Sequence, residues 1–547
     1  MHAHLHARRR TLLALLAAVA IAWFALLGAR DLIEPDEGRY AEVPREMVVS
    51  GDWITPHLNG FNYFEKPPLQ YWLTALGFEA FGLGNGVARL WPALLGFAGA
   101  AAAGLLAARL YGAKAGLAAF LVLPSSLLYF VLGHALTLDM AVSTFLLLGL
   151  CALVMAQRER GTPASARWMW AGWAALAAAT LTKGLIGIVL PGAAVLLYSL
   201  WQRDWALWRH LRLGSGLLIV LALTAPWFVA VSLRNPDFAW FFFVREHLLR
   251  FTTTVHHRYE PAWFFVPVLL VGTVPWTGPY LRALVRPGFA WRPQAGQGFS
   301  AERLLWVFAV TVFVVFSLSD SKLAPYILPM FAPLAILAAP RLARHGDRSV
   351  LPVAGLAAAG LIALELWADS TPRALFPFEV LERYADWLYV AALLLALAGL
   401  ASQWLRAGRP LRLGATALLA MLALQATLWA VRAGEPGHSS RALAEAIRAD
   451  GPTDAEIYCV GSYYPQSLPF YAQRVCDPVG LTDELEKGIR DAPYRWFGSY
   501  SDWATHWYLE RSAYAVIDKA TFQALRGMSL PMRVVYEGPR LVVVSRH

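Results

Sequence analysis

Apolar stretches long enough to cross about 30 Å of hydrocarbon recur along this chain from Thr11 to Val431, and they constrain its fold more than any other feature. Backbone in lipid must satisfy its own hydrogen bonds, so each such stretch is committed to helix. Hydropathy sets about thirteen spans, beginning near Thr11, Val87, Ala115, Leu138, Trp168, Leu185, Gly214, Ala262, Arg303, Lys322, Val350, Trp387 and Leu411. Charged residues make up 15% of the 547, against about a quarter in soluble domains. The expected fold class is a mainly α, multi-pass membrane protein.

The loops fix its orientation. The formal charge of +10 would suit nucleic acid, but the basic residues lie in short loops between the apolar runs. With the N-terminus inside, the loops at 109–114, 157–167, 202–212, 282–292, 341–348 and 404–412 are cytoplasmic, and all are basic, while 369–386 falls outside and is acidic. This assignment holds only if the short apolar stretch Pro67 to Leu83 lies in the membrane interface, because a span there would invert every later loop. The first span follows Arg8, Arg9 and Arg10, lacks a small-x-small cleavage site, and reads as a retained signal anchor.

After Arg432 the composition changes. A helix over Ser440 to Ala449, a strand over Ile457 to Val460, another over Ala513 to Ile517 and a hairpin over Arg533 to Ser545 predict a small α/β domain outside the membrane. The domains are therefore 1–432, with 29–86 as the first outer loop, and 433–547. Cys151 lies in an apolar run and reads as packing. Cys459 and Cys476 are able to pair if their domain lies outside the cytoplasm.

The same topology collects unusual charges on the outer face. Asp36, Glu37 and Arg39 follow the first span. Glu65-Lys66-Pro67-Pro68 opens the interfacial helix, and Asp139 and Lys183 mark the outer ends of spans. Ser321-Lys322 with Tyr326 opens another span, and Glu246, His247 and Arg250 occupy an outer loop. Ionisable groups at membrane helix ends mark functional sites when several converge. The chain has six lysines, and Lys66, Lys183 and Lys322 all fall on this rim. An ammonium meets phosphate as a point charge, and Arg39 offers a bidentate fork. The plainer readings are snorkelling lysines, caps or solvated loop acids for Asp36 and Glu37, and structural roles for His134, His247, His256 and His257. Asp139 resists them, since an acid beside an apolar run is costly unless paired or functional.

Asp36-Glu37-Gly38-Arg39-Tyr40-Ala41-Glu42, Ser50-Gly51-Asp52-Trp53, Phe64-Glu65-Lys66-Pro67, Thr182-Lys183-Gly184 and Ser321-Lys322-Leu323 with Tyr326-Ile327-Leu328-Pro329 occur in that order. Together they resemble the lipid A aminoarabinose transferases, part of the GT-C group of multi-span glycosyltransferases that includes the protein O-mannosyltransferases. The resemblance implies a bacterial inner-membrane enzyme with thirteen spans and a periplasmic C-terminal domain. Its donor is undecaprenyl phosphate carrying 4-amino-4-deoxy-L-arabinose, and its acceptor is a lipid A phosphate. By motif, Asp36 and Asp139 are catalytic carboxylates, and Arg39, Lys66 and Tyr326 clamp the donor phosphate, with Lys183 and Lys322 beside them. Glu65 and His247 are zinc ligands by the same resemblance. A transferase of mannose or another carrier-linked sugar to protein or glycan is the rival within the class. A transporter or flippase is the rival outside it, disfavoured because transporters place polar groups at mid-membrane. No glycine-rich phosphate loop points to a nucleotide sugar.

Overall fold

The computed structural model of the chain describes residues 2–249, 260–292, 298–370, 385–405, 408–431, 435–452 and 454–546. It divides into two compact units.

The first unit takes in Trp91–Ser370 and Ala385–Ala430 with the first helix, His2–Phe24. Each expected span begins on or beside a helix. Among the described residues seven helices are long and apolar enough to cross a membrane, or eight when the pair Ala113–Val122 and Leu127–Gly133, bent by 69°, is taken as one. Ile186–Gln202 is apolar but shorter, and the helices His2–Phe24 and Val350–Ser370 are apolar over Arg10–Phe24 and Val350–Leu366. The chain is a multi-pass membrane protein, and length and hydropathy among the described residues do not confirm the count of thirteen. One expected span is interrupted at a proline. The helix Phe265–Gly272 ends before Pro275 and resumes as Thr277–Val285, because proline cannot donate to the turn above it. Glycine sets the closest approaches. A Cβ on Gly133 would lie 2.4 Å from the Trp23 ring, and Trp23 is wholly buried, donating to Ala93 O at 2.8 Å. His134 is buried between the carbonyls of Phe130 and Trp23, at 2.7 and 2.6 Å, and is structural.

The second unit joins Leu26–Leu90 to Val431–His547. The helix Asp36–Ser50 lies against the helix Leu69–Phe81, the short helix Leu468–Ala472 and a hairpin of β1 (His57–Leu58) and β2 (Phe61–Asn62). The C-terminal region adds β3 (Glu456–Val460), β4 (Asp477–Val479), β5 (Ala513–Asp518), β6 (Arg533–Glu537) and β7 (Leu541–Ser545), in the sheet order β4-β3-β5-β7-β6. The first two pairings are parallel and the last two antiparallel. The expected helix, strands and hairpin are all present. Strand β4 was missed, being three residues long and containing Pro478. Cys459 and Cys476 are joined by a disulfide.

Candidate active site

In the second unit the site begins where the helix Asp36–Ser50 begins. Asp36 and Glu37 occupy its first turn, where the helix dipole favours negative charge. The i,i+3 spacing brings the exposed Asp36 carboxylate onto the buried Arg39 guanidinium, which also pairs with Glu484. Burial works against the Arg39 charge, and Tyr63, Tyr40, Asp36 and Glu65 more than offset it. Glu65 lies 3.8 Å from Lys66 Nζ, and both are largely buried. The structure thus gathers Asp36, Arg39, Glu65 and Lys66, four of the expected residues, with Tyr40, Tyr63 and Tyr71. Burial pushes the Tyr63 and Tyr71 hydroxyls well above the usual phenol range, so both remain protonated donors. Three buried donors here have no partner among the described residues: Arg39 Nε, Tyr63 OH and Tyr71 OH. A buried unsatisfied donor costs about 1–3 kcal/mol, and an anion with several acceptor oxygens removes that cost.

Three side-chain systems hold this turn. Arg89 donates from Nε and Nη2 to the two Glu37 oxygens at 2.7 Å each and to the carbonyls of Leu27, Arg30 and Asp31. Burial alone raises the Glu37 carboxyl, but Arg89, helped by Arg30 and the Ile33 N–H, brings it down to about 2. Glu34 accepts from Ser440, Tyr463 and Ser467. One turn further on, Arg45 forks onto Glu42 at 2.6 Å twice, and Glu46 takes the Gly60 N–H. Gly38 is where the helix meets the backbone of the C-terminal region: a Cβ there would lie 2.5 Å from Ser467 N.

In the first unit Asp139, Lys183 and Tyr326 meet. Asp139 opens the helix Asp139–Arg158, and Lys183 closes the helix Pro163–Lys183. The two form an ion pair, each side chain about one-sixth exposed. Lys183 Nζ stands 4.8 Å over the Tyr326 ring, which packs 5.1 Å from Phe316. Lys322 is turned away, buried and donating to Glu260 O at 2.7 Å. The side chain of His247, and Arg250, His256 and His257 entirely, lie outside the described residues.

The family model of the aminoarabinose transferase C-terminal domain matches residues 443–546. That of dolichyl-phosphate-mannose-protein mannosyltransferase matches residues 9–242. The undecaprenyl phosphate-alpha-4-amino-4-deoxy-L-arabinose arabinosyl transferase of Pseudomonas aeruginosa (strain LESB58) is 37% identical over 443 residues, 77% of this chain and 76% of that protein. The chain belongs to the aminoarabinose transferase family. The crystal structure of ArnT from Cupriavidus metallidurans bound to undecaprenyl phosphate matches it with a TM-score of 0.90 and 35% identity, over 98% of each chain. The transferase of the same description from Erwinia tasmaniensis is 35% identical over 334 residues, so the match spans 60% of this chain and only 58% of that relative.

For this member of the aminoarabinose transferase family, motif reading found the charged rim but missed Glu484, Arg89, Tyr63 and Tyr71. Tyr63 and Tyr71 flank the Phe64-Glu65-Lys66-Pro67 motif, and that proximity was the available signal. Zinc stands differently. Among the described residues no three His, Cys, Asp or Glu side chains come together around a metal position. Glu65 faces Lys66 and Arg39. A protein zinc site supplies three or four ligands, and the side chain of His247, the other ligand implied by the resemblance, lies outside the described residues.

Proposed function

We propose that this chain transfers 4-amino-4-deoxy-L-arabinose from undecaprenyl phosphate to a phosphate of lipid A, at the periplasmic face of the bacterial inner membrane. The observation that carries the proposal is the buried Arg39 cluster. A guanidinium, an ammonium and two phenols with unspent donors suit the phosphate of a lipid-linked sugar, and a bound polyprenyl phosphate is named in the structure of the Cupriavidus metallidurans relative.

In the reaction, the bond between the anomeric carbon and the phosphate oxygen breaks, and its electron pair stays on that oxygen. Arg39 and Lys66 stabilise the charge as it grows, and Tyr63 and Tyr71 donate to it. The leaving group is already a good one, so no strong general acid is needed. The acceptor oxygen forms the new bond to the anomeric carbon. A lipid A phosphate is nucleophilic without losing a proton, which leaves Asp36 and Asp139 to steady the oxocarbenium-like carbon or the sugar amine. A hydroxyl acceptor instead requires one of them as base. Lys183, Lys322 and Tyr326 keep the donor-binding role implied by the family. Glu65 and His247 keep the zinc role on that basis alone, and metal analysis of the purified chain, wild type against Glu65→Gln, tests it.

A second reading has its own support, since the match over residues 9–242 is to a mannosyltransferase family. One experiment separates the two. The chain and its Asp36→Asn variant are expressed in a strain that makes the aminoarabinose donor but lacks its own transferase, and lipid A masses and polymyxin resistance are read. Aminoarabinose on lipid A with wild type and none with the variant supports the proposal. An expressed wild-type chain that adds nothing overturns it and moves the assay to mannose and other carrier-linked sugars.

A further inference from the structure

A second concentration of charge in the first unit plays no part in the chemistry above. It lies at the far end of the membrane-crossing segment Ala324–His345, whose near end carries Tyr326. A helical segment of that length separates the two ends by about 30 Å. A cavity of 530 Å³ opens there, lined by Arg282, Arg286, Arg341, Arg344 and His345, within the ~300–1,000 Å³ usual for ligand pockets. Its other wall is apolar, with Leu337 and Phe289.

Two carboxylates also line it, and both are already engaged. The Asp347 side chain is buried, accepts from Ser349 N and Oγ at 3.0 and 2.6 Å, and faces Arg282 Nε at 3.2 Å and Arg341 Nε at 4.0 Å. Glu302 accepts from Ser300 Oγ at 3.3 Å. Four arginines against these two acids leave the lining at +2 with His345 neutral. Arg286 and Arg344 are exposed and have no carboxylate partner among the described residues. Snorkelling accounts for a lone arginine at a helix end. It does not account for four around one cavity, two of them held by a buried acid.

We propose that this cavity binds the phosphodiester headgroup of an anionic phospholipid from the surrounding bilayer. Basic pockets between membrane helices recognise such headgroups. Arg286 and Arg344 supply forks for the phosphate oxygens, Asp347 positions Arg282 and Arg341 at the same site, and the Leu337 and Phe289 wall receives the start of an acyl chain. The site is independent of the sugar transferred.

The test uses the full chain, delipidated in neutral detergent and titrated with phosphatidylglycerol or phosphatidylcholine. Bound lipid is counted by native mass spectrometry. Wild type is expected to bind phosphatidylglycerol at least tenfold more tightly than phosphatidylcholine. Arg286→Gln/Arg344→Gln should lose that preference while keeping the wild-type Tm in phosphatidylcholine. Arg209→Gln, an exposed arginine outside the cavity, should keep it. Equal preference in wild type and the double variant overturns the proposal. So does an equal loss in Arg209→Gln, which would make the effect general surface charge. Displacement of the lipid by millimolar inorganic phosphate overturns the lipid assignment in favour of a soluble anion.

Discussion

Glu37→Gln tests whether the first turn of the helix Asp36–Ser50 rests on one buried ion pair. Both the Glu37 and Arg89 side chains are no more than 5% exposed. The fold brings the Glu37 carboxyl from its ordinary 4.5 to about 2, which at about 1.4 kcal/mol per decade is worth about 3 kcal/mol. The amide also leaves the Arg89 charge buried without a counter-ion, and breaking a buried pair this way costs about 3–5 kcal/mol. Arg89 is tied to three backbone carbonyls and cannot swing to water, so a loss in that range is expected. The direction with pH follows from the lowered value. The unfolded chain holds this proton more tightly than the folded one, so the contribution is complete above about pH 4.5 and fades as pH falls toward 2. Thermal unfolding of the chain in lipid nanodiscs, scanned from about pH 7 down to about pH 3, reads both effects. Wild type should lose stability below about pH 4.5, whereas Glu37→Gln should start lower and fall less steeply. Glu37→Gln/Arg89→Met should recover most of the loss, because apolar replacement of a buried pair is close to neutral. A Glu37→Gln chain with the wild-type midpoint and the wild-type pH profile would refute the reasoning.

Arg39→Lys keeps the charge but loses the fork and the unpaired Nε, and should cut kcat/KM by about 100-fold in an in vitro transfer assay, with Tm little changed. Gly38→Ala drives a methyl into the Ser467 backbone and should cost about 1–3 kcal/mol by overpacking, read as a fall in Tm; an unchanged Tm would mean the two backbones are not in contact. Cys459→Ser opens a loop closed across 17 residues and should cost about 3 kcal/mol, a loss that added reductant should reproduce in wild type but not enlarge in the variant.

The spans were legible because lipid allows few answers to a long apolar run. Asp36, Arg39, Glu65 and Lys66 were legible because they follow the first span or open the interfacial helix, in motifs that carry the family resemblance. Asp139 and Lys183 were each singled out as costly charges at span ends, and the structure answers with an ion pair between them. What sequence could not supply was pairing across distance. Arg89 lies 52 residues from Glu37, at the head of an apolar run where it reads as an ordinary flanking base. Glu484 sits in a region with no motif, so nothing local distinguished it from a solvated acid. Tyr63 and Tyr71 were lost among 20 tyrosines, because burial and not residue type sets them apart.

The amide of Asn59 donates to Cys476 O at 2.6 Å and accepts from Cys476 N at 2.7 Å, across 417 residues of sequence. Ribosomes add about 5–20 residues per second, so the first loop waits about 20–80 s for its partner. Glu34 waits about as long for Ser440, Tyr463 and Ser467, while the Glu37–Arg89 pair closes early. During that interval the Asn59 amide, buried in the finished protein, and the Glu34 carboxylate, half-buried there, stay hydrated, and every later membrane helix must be inserted before they are covered. Biogenesis of this chain is therefore a closing of first-made on last-made segments. A nascent chain stopped before Ser440 has its membrane helices in place and its Arg39 turn held from the Arg89 side alone, still without Glu484 and the partners of Glu34.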